Sequence, residues 1–156
     1  MQRAVLVPEL LVADLAASLR FWCGLCGFRV AYDRPEDRFA YLDRDGAQVM
    51  LEEAAGPGRR WITGKLERPF GRGMNLQISV ADCAPILAKL EAAGWPLYLD
   101  VEEKWYRVAE GETGVRQFIA QDPDGYLLRF SQALQTAPLQ ADSPATQPLD
   151  QAHWKL

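Results

Sequence analysis

Cys23 and Cys26 stand in a C-x-x-C spacing, Cys83 is the third cysteine, and the one histidine is His153. Redox use of that spacing wants it at the start of a helix, where the dipole lowers the thiol pKa. Here it falls at the end of a predicted helix, where the dipole works the other way, so buried structural cysteines are expected. Zinc would need more donors than Cys83 can add. Ser18, Ser79 and Ser131 lie in no nucleophile elbow, and no histidine stands near them as a base. Gly71-Arg72-Gly73 lacks the lysine and hydroxyl of a phosphate loop. The remaining chemistry is aromatic and acidic. Tyr32, Phe39, Tyr41, Trp61, Trp95, Tyr98, Trp105 and Tyr106 fall on strands and loops and form no helical stripe. About half of such rings are expected in a core. Trp61 and Trp105-Tyr106 have polar neighbours that core burial explains less well, and rings so placed can sandwich a flat molecule. Asp33, Glu36, Asp37, Glu102, Glu103, Glu110 and Glu112 either attract a cationic group or form a solvated surface.

The elements that would position these residues occur twice. Val12-Ala13-Asp14 recurs as Val80-Ala81-Asp82, each time ending an apolar run with an aspartate placed to cap a helix. Asp45-Gly46 opens Ala47–Leu51, as Asp124-Gly125 opens Tyr126–Phe130. In the first half, Ala4–Leu11 reads as a strand, and Pro8 within it calls for an edge or a bulge. A helix is predicted over Leu15–Leu25, ended at Gly27. Strands follow at Phe28–Asp33, Phe39–Leu42 and Ala47–Glu52. In the second half, Met74–Val80 is a strand and Asp82 caps a helix over Cys83–Ala93. Leu97–Val101 is a strand, Glu102–Gly114 a polar stretch, and Val115–Gln121 with Tyr126–Ser131 a closing hairpin. Each half reads β-α-β-β-β. The fold class is α+β: one domain, residues 1–134, built of two modules at about 4–52 and 73–131 with a connector at 53–72. Residues 135–156 form a Pro-, Gln- and Ala-rich tail.

The net charge of −4 and pI near 5.0 argue against a nucleic-acid partner and allow a cationic ligand. No apolar run approaches the ~20 residues of a membrane span, and Met1-Gln2-Arg3-Ala4 does not read as a signal peptide. An odd number of cysteines suggests no disulfide framework, so a reducing cytoplasm is expected.

The tandem βαβββ layout, with Val12–Leu15, Ser18–Trp22, Gly27-Phe28, Phe39–Leu42, Arg116–Phe118 and Asp122–Tyr126, resembles the vicinal oxygen chelate superfamily. That superfamily includes glyoxalase I, extradiol dioxygenases, fosfomycin-resistance enzymes and bleomycin-resistance proteins. Phe21-Trp22 and Arg116-Gln117-Phe118 look most like the bleomycin-resistance branch. Those proteins generally carry a tryptophan just before the Arg-x-Phe segment, where this chain has Thr113-Gly114-Val115.

The resemblance implies curved sheets forming a cup, homodimers with grooves at the subunit interface, and, in metal-dependent members, ligands on the first and last strands of each module. Those positions fall here on Val7, Met50 or Leu51, Asn75 and Arg129. Only the Asn75 amide oxygen is a donor suited to a hard or borderline cation, although Glu9 and Glu52 lie close by. Binding without a metal cofactor is therefore the leading expectation. The implied ligand-binding residues are Tyr32, Phe39, Tyr41, Met50, Trp61, Asn75, Glu102, Trp105, Tyr106 and Arg129. The implied activity is sequestration of a cationic antibiotic of the bleomycin type. A superfamily lyase, isomerase or dioxygenase with an atypical metal site, and a binding module for an endogenous metabolite, are the alternatives.

Overall fold

The structure is a computed structural model that describes residues 2–108 and 111–134. Its elements run β1 (Glu9–Val12), α1 (Leu15–Leu19), β2 (Arg29–Arg34), β3 (Phe39–Arg44), β4 (Ala47–Glu53), β5 (Asn75–Val80), α2 (Ala84–Ala92), β6 (Leu97–Val108), β7 (Gly111–Gln121) and β8 (Leu127–Ala133). They form two four-stranded mixed sheets, ordered β1-β4-β3-β2 and β5-β8-β7-β6. In each sheet the first and last strands of the module pair in parallel and the rest are antiparallel. The duplicated sequence is a duplicated α+β topology.

Local chemistry accounts for most boundaries. Asp14 caps α1 by accepting from Ala17 N–H at 2.9 Å. The predicted helix over Leu15–Leu25 is present, but its second part, Arg20–Leu25, widens into π-type turns. The widened turns direct both Phe21 and Trp22 inward, each 1% exposed. β3 and β4 join through Asp45-Gly46, both at positive φ (50° and 92°), the two-residue turn that matches strand twist. Asp82 accepts from Ala84 N–H at 2.9 Å, and α2 begins there with Pro85 in its first turn.

Two expectations are corrected. β1 begins at Glu9, so Pro8 precedes the strand; its carbonyl still accepts from Met50 N–H at 2.8 Å. The polar stretch from Glu102 to Gly114 is largely strand: β6 runs for 12 residues and pairs with β7 from Leu97 to Val108. Charged residues do not break a strand when one edge faces water and cross-strand partners such as Glu103 and Arg116 bond at 2.6 Å. Glu110 and the tail from Gln135 onward lie outside the described residues.

One core joins the modules. Leu10, Val12, Ala40, Leu42, Val49 and Leu51 of sheet 1 meet Ile78, Phe118, Ala120, Leu128 and Phe130 of sheet 2, with Phe21, Trp22, Ile86 and Leu90 of the helical segments among them. The Asp122–Tyr126 turn locks the halves. Asp122 Oδ1 accepts from the backbone N–H groups of Asp124, Gly125 and Tyr126, while its Oδ2 accepts from Trp22 Nε1 at 3.2 Å. Asp124 is 1% exposed; Oδ2 takes Ala13 N–H at 2.9 Å and Oδ1 takes Arg68 Nη2 at 2.6 Å. Gly125 is required there, because a Cβ would lie 2.4 Å from Pro69.

Candidate functional site

Strand alternation sends Leu10, Val12, Val49 and Leu51 to the core and their neighbours to the opposite, open face of sheet 1. The register sets that face in two rows. Glu9, Met50, Tyr41 and Tyr32 form one; Leu11, Glu52, Phe39 and Arg34 form the other. Tyr32 stacks on Tyr41 with ring centres 5.0 Å apart and leans on Phe39 at 5.9 Å. The Arg34 guanidinium lies 3.9 Å from the Phe39 ring centre. Tyr41 donates its hydroxyl to Gln48 Oε1 at 2.7 Å. Four of the predicted site residues, Tyr32, Phe39, Tyr41 and Met50, are thus neighbours on one surface. Phe39 and Tyr41 are buried there.

The connector closes over one end of this face. Arg60 bonds Glu52 Oε1 at 2.8 Å, with both side chains largely buried, and donates to the carbonyls of Glu53 and Pro57. Arg59 stacks at 4.0 Å on Trp61, which is 72% exposed. Beside Trp61 opens a groove of about 450 Å³, whose walls include Glu9, Leu11, Phe70, Arg72 and Tyr126. Tyr126 donates its hydroxyl to Leu11 O at 2.9 Å; burial first, then Asp122 and Asp124, push its pKa up to about 12, so it stays a neutral donor. A second cavity of about 370 Å³ is lined by Asn75, Tyr98, Gln121 and Leu127 and shares Phe70 and Arg72 with the first.

The other predicted residues are spread over sheet 2. Arg129 donates to the Gln77 side-chain oxygen on the open face. Glu102 accepts from Gln117 Nε2 at 2.7 Å. Trp105 and Tyr106 are consecutive on β6 and so point to opposite faces, and they line neither cavity. The Trp105 indole lies against Gly114, its Cα partner on β7, so a ring from the neighbouring strand fills the place just before the Arg116-x-Phe118 segment.

Sequence reasoning noticed Glu9 and Glu52 but missed their relation. Burial first, then a hydrogen bond with Glu9, raises the Glu52 carboxyl above its ordinary value, while Arg60 opposes the rise. Arg60 was missed altogether; only the connector's path brings it to β4. The alternation Gln48, Met50, Glu52 on β4 was the available signal for the carboxylate. A raised carboxyl holds a proton that the unfolded chain has released. Its contribution to stability is therefore present below the unfolded pKa and lost as pH rises through the folded value. Glu52→Gln is expected to flatten that part of the curve. Urea midpoints should fall less steeply with pH, from the ordinary carboxylate range upward, in the variant than in the parent; equal slopes would refute the assignment to Glu52.

Three of the family's four metal positions do not fit a metal. Val7 and Met50 offer no hard or imidazole donor, the Arg129 guanidinium cannot give up a proton to bind a cation and is engaged with Gln77, and the Asn75 amide oxygen alone is too few donors for a site. Among the described residues no three His, Cys, Asp or Glu side chains cluster closely enough to hold an ion.

The model of the Glyoxalase/Bleomycin resistance protein/Dioxygenase superfamily matches residues 4–130. The chain belongs to this superfamily. A superfamily member from Vibrio splendidus 12B01 is 38% identical, over 81% of this chain and 95% of that one, with a TM-score of 0.39. TioX from Micromonospora sp. ML1 is 24% identical over 84% of this chain and 99% of its own, with a TM-score of 0.63. A lactoylglutathione lyase from Agrobacterium tumefaciens is 16% identical over 83% and 92% of the respective chains, with a TM-score of 0.53. The last two share the superfamily fold. Comparison with curated proteins gives no match. Among the described residues of this superfamily member, no helix is long and apolar enough to cross a membrane.

Proposed function

We propose that this protein binds a small, flat, cationic molecule without a metal cofactor and sequesters it, as bleomycin-resistance proteins sequester their antibiotic. The observation that carries this reading is the groove of about 450 Å³ between Trp61 and Glu9, in a superfamily member whose metal positions hold Val7, Met50, Asn75 and Arg129. An exposed indole offers a stacking surface. On the rim, Lys65 and Arg72 both lie near Glu67, at 2.8 and 3.7 Å, whereas Glu9 has no ion pair among the described residues. Glu9 is therefore the carboxylate assigned to a ligand cation. Homodimers in the cytoplasm, with neither nucleic acid nor membrane as partner, belong to the same reading; three free thiols support the compartment.

Titration calorimetry with metal-free bleomycin, alongside elemental analysis of the same sample, tests this. The expected outcome is binding that weakens with salt, less than stoichiometric transition metal, and a loss of roughly 1–3 kcal/mol of affinity in Trp61→Ala. Absence of binding at tens of micromolar, roughly the weak end of useful affinity, would turn the ligand assignment toward an endogenous metabolite. About one equivalent of Zn, Fe, Mn or Ni per chain would overturn the metal-free reading. The second reading is an enzyme of the superfamily, one of whose fold neighbours is by name a lyase. The Glu52 carboxyl, raised above its ordinary value by burial and by neighbouring Glu9, favours it, since an acid catalyst needs a carboxyl shifted in that direction.

A further inference from the structure

The open face of sheet 2 carries an arginine in its middle. Register places Gln77, Arg129 and Ile119 side by side in one row, and Asn75, Leu127 and Gln121 in the next row along the strands. The Arg129 side chain turns toward β5, where its Nη2 donates to the Gln77 side-chain oxygen. Its Nε is buried and has no hydrogen-bond partner among the described residues. No carboxylate pairs with Arg129 among those residues. Glu102, an acid on the same face, stands on β6 with β7 between them, and it is taken by Gln117 at 2.7 Å and Lys104 at 3.5 Å. A stranded donor on a side chain that keeps its charge calls for an anionic acceptor. Nε and Nη2 share one edge of the guanidinium, the edge that takes both oxygens of a carboxylate. Gln77 is exposed, so its side chain can yield Nη2 to a ligand.

Beside this arginine lies a cavity of matching character. Its volume is about 370 Å³, and its wall is formed by Phe70, Met74, Tyr98 and Leu127 with the carboxamides of Asn75 and Gln121. No acid lines it, and its one charged wall residue, Arg72, is held by Glu67 and by the Pro69 carbonyl. An irregularity in the β6–β7 pairing between Leu97 and Leu99 leaves Tyr98 outside the regular register, 63% exposed, as part of the wall. Leu127 and Arg129 are two residues apart on β8, about 7 Å along the strand, and they share its open face. We propose that this cavity and Arg129 form a binding site for a small apolar carboxylate. Its aryl or alkyl body packs against Phe70, Met74, Tyr98 and Leu127, and its carboxylate bonds to Nε and Nη2 of Arg129. The site is distinct from the Trp61 groove, with which it shares only the Pro69–Arg72 wall, and its charge preference is the reverse. It stands whether or not a cation occupies that groove.

The test titrates the full chain with cinnamate and with its uncharged counterpart cinnamamide, by calorimetry and by NMR. Cinnamate is expected to bind, and cinnamamide to bind about tenfold or more weakly, since it loses the charge-assisted bonds. Arg129→Gln should weaken cinnamate by about tenfold or more and bring the two probes to the same affinity. Arg129→Lys keeps the charge without the fork, so it should retain a reduced preference for cinnamate; this variant carries the test if Arg129→Gln fails to fold. Met74→Trp fills the cavity and should weaken both probes alike. Magnetisation transfer from the phenyl ring of the probe to the methyl groups of Met74 and Leu127 would place the body in the cavity. Equal affinities of the two probes for wild type would overturn the proposal. So would a preference for cinnamate that survives Arg129→Gln, ring contacts at Trp61 in place of Leu127, or no cinnamate binding at millimolar concentration, roughly the weakest affinity expected of a small site.

Discussion

Arg68→Ala is expected to destabilise the fold by about 3 kcal/mol, the lower end of the range for removing one partner of a buried ion pair. Arg68 Nε and Nη2 reach Asp124 Oδ1 at 3.0 and 2.6 Å. The guanidinium is 60% exposed and stays hydrated, which trims the effect, but the Asp124 side chain is 1% exposed and keeps its charge away from water. Without Arg68 that carboxylate retains only Ala13 N–H. The same turn accepts Phe70 N–H at the Asp124 carbonyl, at 2.7 Å, so the loss also loosens Phe70 and Tyr126 in the groove wall. Asp124→Ala in the Arg68→Ala background should be no worse than Arg68→Ala alone, because it removes the stranded charge. Urea midpoints of the three variants check this. An Arg68→Ala protein within about 0.5 kcal/mol of the parent would reduce the pair to a surface ion pair.

Trp22→Ala should cost about 4 kcal/mol, in the range for truncating a buried aromatic. Trp22 is 1% exposed, packs edge-on against Phe28 at 5.1 Å and Phe21 at 6.5 Å, and its indole N–H reaches Asp122 Oδ2 across the module boundary. Trp22→Phe keeps much of the ring and loses the donor, so a cost of roughly 1–3 kcal/mol isolates the hydrogen bond to the carboxylate. The two substitutions should also differ from the parent in pH dependence. Burial raises the Asp122 pKa, and the backbone N–H groups and Trp22 only partly restrain the rise. Without the indole donor the folded pKa climbs further. A raised acid stabilises below its unfolded pKa and loses that contribution as pH rises through the folded value, so the deficit of Trp22→Phe should be larger at neutral pH than near pH 4, roughly the ordinary aspartate value. A deficit that is constant with pH would assign Trp22 to packing alone.

What the sequence determined by itself was periodic and local. The Val-Ala-Asp repeat, the Asp45-Gly46 turn, the Asp14 cap and the two β-α-β-β-β patterns all arise from neighbours within a few residues, where side-chain spacing and turn geometry act directly. Which side chains stand at the family's metal positions, Val7, Met50 or Leu51, Asn75 and Arg129, is legible for the same reason, since it needs only residue identity. The open face of sheet 1 was half legible. Tyr32, Phe39 and Tyr41 could be named as strand and loop aromatics and Met50 from the resemblance, but that Tyr32 stacks on Tyr41 depends on strand register. The tertiary structure alone decided which distant groups meet. The connector carries Arg60 onto Glu52 and leaves Trp61 at the rim of a groove that Trp105 does not line. The Asp122–Tyr126 turn takes its partners from α1's widened end, from Ala13 and from the connector at once. Glu102–Val108 is strand despite its charges, because the pairing with β7 supplies backbone partners that composition does not reveal. Such contacts follow from chain path and register, and a one-residue shift in either would turn each of these side chains to another neighbour.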